Sequence, residues 1–167
     1  MNKPNGSILI TGASSGLGLT VATQIASGPL GQDYHGIYTA RNTTNARDLN
    51  VLRHRHQAHT SDLLELDLSS FAEVRTAAAT VNKRVADGSL PPIRALILNA
   101  GFQESTELNM SEDGFEMTFQ VNYLSHFLFV LLLLQSMDKE HGRILVLSSP
   151  SHKSVVVSFL SLCQIYA

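Results

Sequence analysis

The sequence predicts a doubly wound α/β fold, in which helices cover both faces of a parallel sheet. Three observations lead to this prediction. Five short runs are apolar throughout, as strands buried on both faces tend to be. Segments with helical or polar patterning separate those runs. Polar or glycine residues then follow the runs closely: Gly12, Arg41, Asp67, Asn99 and Ser149. Because ligands bind at the carboxyl ends of the strands in such a sheet, these positions mark the predicted site.

The predicted strands and helices alternate along the chain. The strands lie at about Ser7–Thr11, Gly36–Ala40, Leu63–Leu66, Ala95–Leu98 and Ile144–Leu147. The helices lie at about Gly16–Ser27, Ala46–Gln57, a segment that ends near Ala86, and Glu112–Met137. Ser69 or Ser70 can cap the third helix and Ser111 the fourth, because serine hydroxyls accept hydrogen bonds from the first helical turn.

The composition favours a soluble, core-rich protein of one domain. Of its 167 residues, 44% are hydrophobic and 16% are charged, whereas about 25% are charged in typical soluble proteins. The net charge of −2 gives no reason to expect binding to nucleic acid or to an anionic membrane. The longest apolar stretch, Phe127–Leu134, is shorter than the ~20 residues of a transmembrane helix. We therefore expect no nucleic-acid partner, no transmembrane span and a cytoplasmic location, which the single cysteine, Cys163, also fits.

The stretch Ile8–Leu19 reads ILITGASSGLGL and predicts a strand, a tight glycine turn and a helix. Gly12 would adopt a backbone conformation that residues with a Cβ avoid, and Gly16 and Gly18 would let a phosphate approach the chain. The N–H groups and the dipole at the start of the helix suit a pyrophosphate. On its own, the TGxxxGxG spacing fits an ordinary turn between strand and helix as well as a nucleotide site.

Taken together and in order, the motifs of this chain resemble those of the short-chain dehydrogenase/reductase family. They are TGASSGLG at Thr11–Gly18, DL at Asp67-Leu68, NAG at Asn99–Gly101, VN at Val121-Asn122 and LSS at Leu147–Ser149. The runs Gly114–Phe129 and Gly142–His152 further resemble the retinol-dehydrogenase-like branch. The resemblance implies a Rossmann dinucleotide-binding domain over residues 1–153, followed by a divergent tail over residues 154–167. It also implies hydride transfer between a nicotinamide cofactor and a carbonyl or alcohol substrate, which we expect to be a lipophilic small molecule.

Carried over by position, the family's cofactor contacts fall on ten residues. The pyrophosphate and the adenosine ribose would contact the turn residues Gly12, Ser14, Ser15, Gly16, Leu17 and Gly18. The adenine end would contact Asp67 and Leu68, and the adenosine side would be lined by Asn99 and Ala100. For Asp67 the alternative is an acidic residue that stabilises a helix start, because a predicted helix follows it directly.

Arg41 predicts which dinucleotide is preferred. In this fold an acid after the second strand holds a free ribose 2′-OH, whereas an arginine accommodates a 2′-phosphate. The second strand is followed by Arg41 and Asn42, with no acid. A guanidinium can bind a phosphate through paired hydrogen bonds. We therefore predict NADP(H) in preference to NAD(H), with a solvated loop arginine as the alternative.

Two residues match catalytic positions of the family. Ser149, the second serine after the fifth strand, matches the serine that orients the substrate oxygen, and Ser148 is the weaker candidate. Asn122 matches the asparagine that supports a water chain to the family's catalytic lysine, although a polar residue that bends a helix is the alternative. The resemblance also implies that the long helix packs against its twin in a homodimer of the complete protein.

The Tyr-x-x-x-Lys motif of the family does not follow Ser149. Tyr166 is the only later tyrosine and a single residue follows it, so it could begin a motif that is cut off. Family members continue with further strands, and we therefore expect a truncated fold, incomplete at its C-terminal side, whose fifth strand is an exposed edge. The alternative function is then a non-catalytic dinucleotide-binding or interaction module. His54, His56 and His59 fit a solvated segment better than a metal site.

Overall fold

The structure is a computed structural model that describes residues 4–103 and 108–149. A parallel sheet with the strand order β3-β2-β1-β4-β5 lies at its centre. The strands are β1 (Ser7–Ile10), β2 (His35–Ala40), β3 (Ser61–Glu65), β4 (Ile93–Leu98) and β5 (Arg143–Val146). The order reverses between β1 and β4, which is where doubly wound sheets bind their ligands. The predicted fold class is confirmed.

Helices cover both faces of the sheet. Within the described residues they are α1 (Gly16–Ser27), α2 (Leu30–Asp33), α3 (Arg47–Arg55), α4 (Phe71–Ala86) and α5 (Met117–Ser136). Leu9 of β1 lies in a core cluster with Val74 of α4 and Phe129 of α5. Its neighbours Ile8 and Ile10 lie in a second cluster with residues of α1 and α3. Because successive side chains of a strand point to opposite faces, β1 is buried on both sides and holds the two layers together.

Most predicted element boundaries differ from the observed ones by one or two residues. The helix predicted at Ala46–Gln57 is observed as α3, and the strand predicted at Leu63–Leu66 is observed as β3, which begins earlier at Ser61. The chain break predicted around Pro29 and Gly31 contains the short helix α2. Proline is well suited to a helix start because its fixed φ is already helical.

The start of α5 corrects the prediction from the sequence. Ser111 is predicted to cap a helix from Glu112, but the helix begins at Met117. Gly114 has a φ of +81°, which a right-handed helix cannot accommodate, so the preceding segment forms a turn. The cap is Glu116, whose carboxylate accepts hydrogen bonds from the N–H groups two and three residues later at 2.8 and 2.6 Å. The turn at Gly114 therefore places the cap at Glu116, five residues after the predicted cap at Ser111.

The start of α4 is capped from a distant loop. Ser70 occupies the predicted N-cap position, but its side chain makes no capping hydrogen bond. The carboxylate of Asp113 instead accepts a hydrogen bond from the N–H of Phe71 at 2.8 Å. The hydroxyl of Ser69, the other predicted cap, donates a hydrogen bond to the carboxylate of Asp67 at 2.7 Å. The position of the cap is therefore confirmed, whereas the group predicted to supply it is wrong.

Among the described residues, strand β5 pairs with β4 alone and is the edge of the sheet, as the sequence predicts. All four of its residues are exposed, Val146 by 70%. Apolar strands of a parallel sheet are normally covered on both faces. Lys153, Cys163, Tyr166 and the predicted tail, residues 154–167, lie outside the described residues.

One helix of the described chain, Met117–Ser136, is long and apolar enough to cross a membrane by length and composition. Counting consecutive apolar residues does not detect it, because polar residues interrupt the run. Phe129 and Leu133 of this helix are fully buried in the core that it forms with α4. Core helices of soluble proteins meet the same criterion, so the feature is weak evidence for a membrane span.

Candidate cofactor-binding site

The glycine turn between β1 and α1 has close contacts on one side and open space on the other. A Cβ on Gly18 would lie 2.3 Å from the carbonyl oxygen of Gly12, and a Cβ on Gly12 would lie 2.8 Å from the Cα of Ala100. Gly16 has a φ of +52°, and no described atom lies within 4 Å of a Cβ built on it. Gly12 and Gly18 thus let the turn pack against the end of β4, while Gly16 borders a space that a ligand can enter. This cradle fits the pyrophosphate of a dinucleotide.

The first turn of α1 presents backbone N–H groups at this position. Ser15 is the N-cap residue, and its side chain makes no capping hydrogen bond. The first N–H groups of a helix have no partner within the helix, and its positive dipole end favours an anion. Ser14 is half-buried, and the side chain of Leu17 is 61% exposed. Ser15, Gly16 and Leu17 are therefore accessible at the start of α1, whereas Gly18 is buried against the turn.

Thr11 joins the glycine turn to the loop after β4. Its Oγ1 accepts hydrogen bonds from the N–H groups of Asn99 at 2.9 Å and Ala100 at 3.0 Å. The side-chain Nδ2 of Asn99 in turn donates to the carbonyl oxygens of Thr11 and Gly12, at 2.9 and 3.2 Å. These bonds bring the predicted residues Gly12, Asn99 and Ala100 together where the strand order reverses.

Asn122 holds the backbone of Phe102. Its Oδ1 accepts a hydrogen bond from the N–H of Phe102 and its Nδ2 donates to the carbonyl oxygen of Phe102, both at 2.7 Å. Asn122 lies within a π-helical turn, Gln120–Leu124, at the start of α5. Such turns are local distortions of α-helices and often occur at functional sites. This placement agrees with the alternative that Asn122 accompanies a bend, and the proposed water chain stays a prediction.

A cavity of about 1140 Å³ lies between the loop after β4, helix α5 and the end of β5. Asn122 and Ser149 both line it, together with Ser148. Ligand pockets commonly have volumes of about 300–1,000 Å³. The two predicted catalytic residues therefore border one space that is large enough for a small-molecule substrate.

Asp67 and Leu68 lie just before α4. The Oδ1 of Asp67 accepts hydrogen bonds from the N–H and the hydroxyl of Ser69, at 2.9 and 2.7 Å. Leu68 is buried, and its carbonyl oxygen accepts a hydrogen bond from the hydroxyl of Ser125 at 2.5 Å. The hydrogen bonds between Asp67 and Ser69 support the alternative that Asp67 organises the start of a helix. The contact of Asp67 with adenine stays a prediction.

Arg41 is exposed and directly follows β2. The register between β2 and β3 pairs Ala40 with Glu65, so a carboxylate lies at the neighbouring strand end. The hydroxyl of Thr43 donates a hydrogen bond to this carboxylate at 3.2 Å. Glu65 could not be singled out from the sequence, because its place at the strand end next to that of β2 depends on strand pairing.

His126 is a buried titratable residue that the sequence analysis missed. It is 6% exposed, its Nε2 lies 3.0 Å from Oγ1 of Thr11, and its Nδ1 lies 3.3 Å from the carbonyl oxygen of Asn122. Burial lowers the pKa of His126 below its ordinary value of 6.5, and the hydrogen bond to Asn122 partly opposes that shift. The available signal was a histidine within an apolar helical run, four residues after Asn122, where both share one helix face.

One of the three histidines before β3 has a structural role. The Nδ1 of His59 donates to the carbonyl oxygen of Gly31 at 2.9 Å, so its Nε2 accepts from the hydroxyl of Tyr38 at 2.8 Å. Burial lowers the pKa of His59 and raises the pKa of Tyr38. The prediction of a solvated segment is therefore wrong for His59, whereas His54 is exposed. Within residues 4–103 and 108–149, no cluster of three or more His, Cys, Asp or Glu side chains could hold a metal ion.

Comparisons with known proteins agree with this geometry. A family model described as short chain dehydrogenase matches residues 7–160. The short-chain dehydrogenase iccH of Talaromyces variabilis is 51% identical over 161 residues, which cover 93% of this chain and 44% of that protein. The chain therefore spans less than half the length of this curated relative.

Two solved structures share the fold at low identity. The NADPH-bound carbonyl reductase from chicken fatty liver has a TM-score of 0.70 at 20% identity, and the match covers 99% of this chain and 64% of that one. A blue fluorescent protein from a metagenomic library, in complex with NADPH, has a TM-score of 0.69 at 23% identity. That match covers 92% of this chain and 59% of the other.

Proposed function

The chain belongs to the short-chain dehydrogenase family, and on that basis we propose that it forms the cofactor-binding part of an NADP(H)-dependent oxidoreductase. The enzyme would transfer a hydride between the nicotinamide and the carbon of a carbonyl or alcohol substrate. The observation that carries the proposal is the convergence of the glycine turn, the Asn99-Ala100 loop and Asn122 where the strand order reverses. The activity of the complete protein is part of the proposal, whereas this chain alone is expected to show little or no turnover.

In this proposal the pyrophosphate binds at the first turn of α1. Gly16 supplies the open side of the cradle, because a Cβ there would occupy the ligand space. Ser14, Ser15 and Leu17 supply the backbone of the same turn, whose N–H groups suit phosphate oxygens. When bound, the dinucleotide supplies or accepts the hydride. Asp67 and Leu68 would hold its adenine end.

Arg41 would bind the 2′-phosphate that distinguishes NADP(H) from NAD(H). Its side chain is exposed at the end of β2, which is the position where this fold discriminates between the two dinucleotides. The NADPH named in both structural relatives supports this preference.

The substrate would bind in the cavity beside Ser149. In the proposal, the hydroxyl of Ser149 forms a hydrogen bond with the substrate oxygen and so orients the carbonyl. Asn122 keeps the wall of the cavity in place through its two hydrogen bonds to Phe102. Tyr123 and Phe127 add apolar surface to this wall, which supports a lipophilic substrate.

Three finer assignments remain proposals of the same kind. The motif runs through α5 and β5 support the retinol-dehydrogenase-like branch. Phe119, Tyr123 and Phe127 form an exposed, stacked row on α5, which supports packing against a second copy in a homodimer. The net charge and composition support a cytoplasmic location.

Measuring the affinities of the intact chain for NADPH and NADH tests the cofactor assignment. Arg41→Ala should weaken NADPH binding by about tenfold or more, because a charge-assisted hydrogen bond is lost, and should change NADH binding by less than about twofold. Arg55→Ala is the matched control, since Arg55 is exposed at the end of α3. Equal affinities of the intact chain for NADPH and NADH would refute the preference.

Turnover by this chain tests whether it catalyses the reaction on its own. A positioned acid or base typically contributes about 10²–10⁴ in rate, and none is assigned among the described residues. We therefore expect this chain to bind NADPH yet reduce carbonyl compounds little or not at all. The alternative function is a non-catalytic dinucleotide-binding or interaction module, which would bind NADPH with no turnover. Robust NADPH-dependent reduction by the 167-residue chain would contradict this expectation.

A further inference from the structure

His126 connects three segments of the candidate site. Its ring lies between Thr11 at the end of β1 and the backbone of Asn122 in α5, at 3.0 and 3.3 Å. Thr11 in turn binds the N–H groups of Asn99 and Ala100. The imidazole thus links helix α5, through Thr11, to the part of the loop that packs against the glycine turn.

The hydrogen bonds determine which nitrogen of His126 carries the proton. A threonine hydroxyl has one hydrogen to donate and two lone pairs to accept with. Both lone pairs of Thr11 Oγ1 are used by the N–H groups of Asn99 and Ala100, so its hydrogen points to Nε2 of His126. Nε2 must then be unprotonated. Nδ1 carries the proton and donates it to the carbonyl oxygen of Asn122.

We propose that neutral His126 is a positioning residue that keeps the Thr11 hydroxyl turned so that it accepts both N–H groups of the Asn99-Ala100 loop. Protonation of Nε2 places an N–H against an oxygen that has no lone pair left, so at least one of those two bonds must break. The loop then loosens beside Gly12. The consequence for dinucleotide affinity rests on the proposed function, whereas the consequence for the loop does not.

The surroundings of His126 favour the neutral ring. Its two partners, the Thr11 hydroxyl and the Asn122 carbonyl, are uncharged. Tyr123 is the other titratable side chain among the described residues that line the neighbouring cavity, and the lining contains no acid, lysine or arginine. Burial without a nearby carboxylate lowers the pKa of His126, which agrees with this assignment. Folding therefore opposes protonation, and the stability that the neutral ring contributes is lost as pH falls below 6.5.

The first experiment uses the cofactor-free chain. Nitrogen NMR of the imidazole is expected to show the Nδ1–H tautomer of His126 at pH 7.5. The protection of the Asn99 and Ala100 amides against hydrogen exchange, relative to the intrinsic rate at each pH, should fall by roughly tenfold when the pH is lowered to 5.5. His126→Gln should abolish that fall, because the amide oxygen of Gln accepts from Thr11 at every pH. An Nε2–H tautomer, or the same fall in protection in His126→Gln, would overturn the proposal.

The second experiment measures the affinity for NADPH between pH 5.5 and 8. His126→Leu should weaken binding by about tenfold at pH 7.5, whereas His126→Gln should restore it and remove the additional loss at low pH. His141→Gln, which alters an exposed histidine, is the control. Identical pH profiles for the intact chain and His126→Gln would contradict the coupling. Absence of NADPH binding by the intact chain at every pH would refute the proposed function, and the tautomer and exchange data would still decide the role of His126.

Discussion

Replacing Gly18 by Ala tests the contact that shapes the glycine turn. The new Cβ would lie 2.3 Å from the carbonyl oxygen of Gly12 and 2.5 Å from Nδ2 of Asn99, about 1 Å short of ordinary contact. Overpacking of this kind costs about 1–3 kcal/mol. Displacing the Gly12 carbonyl also weakens its hydrogen bond from Asn99, which contributes about 0.5–1.5 kcal/mol.

Helix propensity acts in the opposite direction at this position. Gly18 lies in the first turn of α1, where Ala is preferred to Gly by about 0.5–1 kcal/mol in a helix. The contact is the larger effect, so we expect Gly18→Ala to lower the free energy of unfolding by about 2 kcal/mol. For a chain of this length the corresponding fall in Tm is about 4–8 °C.

Urea denaturation followed by circular dichroism measures this change. Gln24→Ala, on the exposed side of α1, is the control for helix propensity and should change the free energy of unfolding by less than about 0.5 kcal/mol. An unchanged or increased stability of Gly18→Ala would refute the reasoning, because propensity would then outweigh the contact with Gly12.

Three further predictions concern the cofactor, acid stability and the core. Gly16→Ala and Gly88→Ala both place a Cβ in open space at a positive φ, so each should lower the free energy of unfolding by about 1–2 kcal/mol. Calorimetry should show NADPH binding weakened by about tenfold for Gly16→Ala and unchanged for Gly88→Ala. A histidine partner and then an arginine hold the pKa of Asp62 well below its usual value, so its ionised form stabilises the fold at neutral pH and that stability is lost as acid protonates it. Asp62→Asn should therefore lower the urea midpoint at pH 7 and flatten its decline below pH 3.8. Phe129 is fully buried, so Phe129→Ala should lower the free energy of unfolding in urea by about 3–5 kcal/mol. Phe127 is 54% exposed, so Phe127→Ala should lower it by less than about 1 kcal/mol, and equal losses would contradict the assigned core.

The fold could be predicted well from the sequence because its signals are local. The apolar runs of β1 and β2 are buried on both faces, and such strands require covering helices on either side. The start of α5 was predicted wrongly although a local signal was present. Ser111 has the chemistry of a cap, but Gly114 adopts a left-handed conformation, and the Asp113-Gly114 pair is typical of a turn.

Some candidate site residues could be predicted from local motifs, whereas others depend on contacts between distant segments. Gly12, Asn99 and Ala100 were predicted from motifs, and their mutual hydrogen bonds through Thr11 bring them together. His126 was missed, because its partner Thr11 lies more than a hundred residues away in the chain and becomes a neighbour only after β1, β4 and α5 pack.

The parallel sheet and the order of its elements could be read from the sequence, because hydrophobic periodicity acts over a few neighbouring residues. The turn at which a dinucleotide would bind was predicted from five motifs taken in order, since the glycine spacing alone also fits an ordinary turn. The tertiary structure was needed to show which face of the turn is open, that Asp113 caps α4 and that Glu65 lies at the strand end next to that of β2. The contacts from which the protonated nitrogen of His126 is inferred also appear only there. Each of these depends on hydrogen bonds or contacts between segments far apart in the chain, whose proximity is created by burial of the two apolar clusters on either side of the sheet.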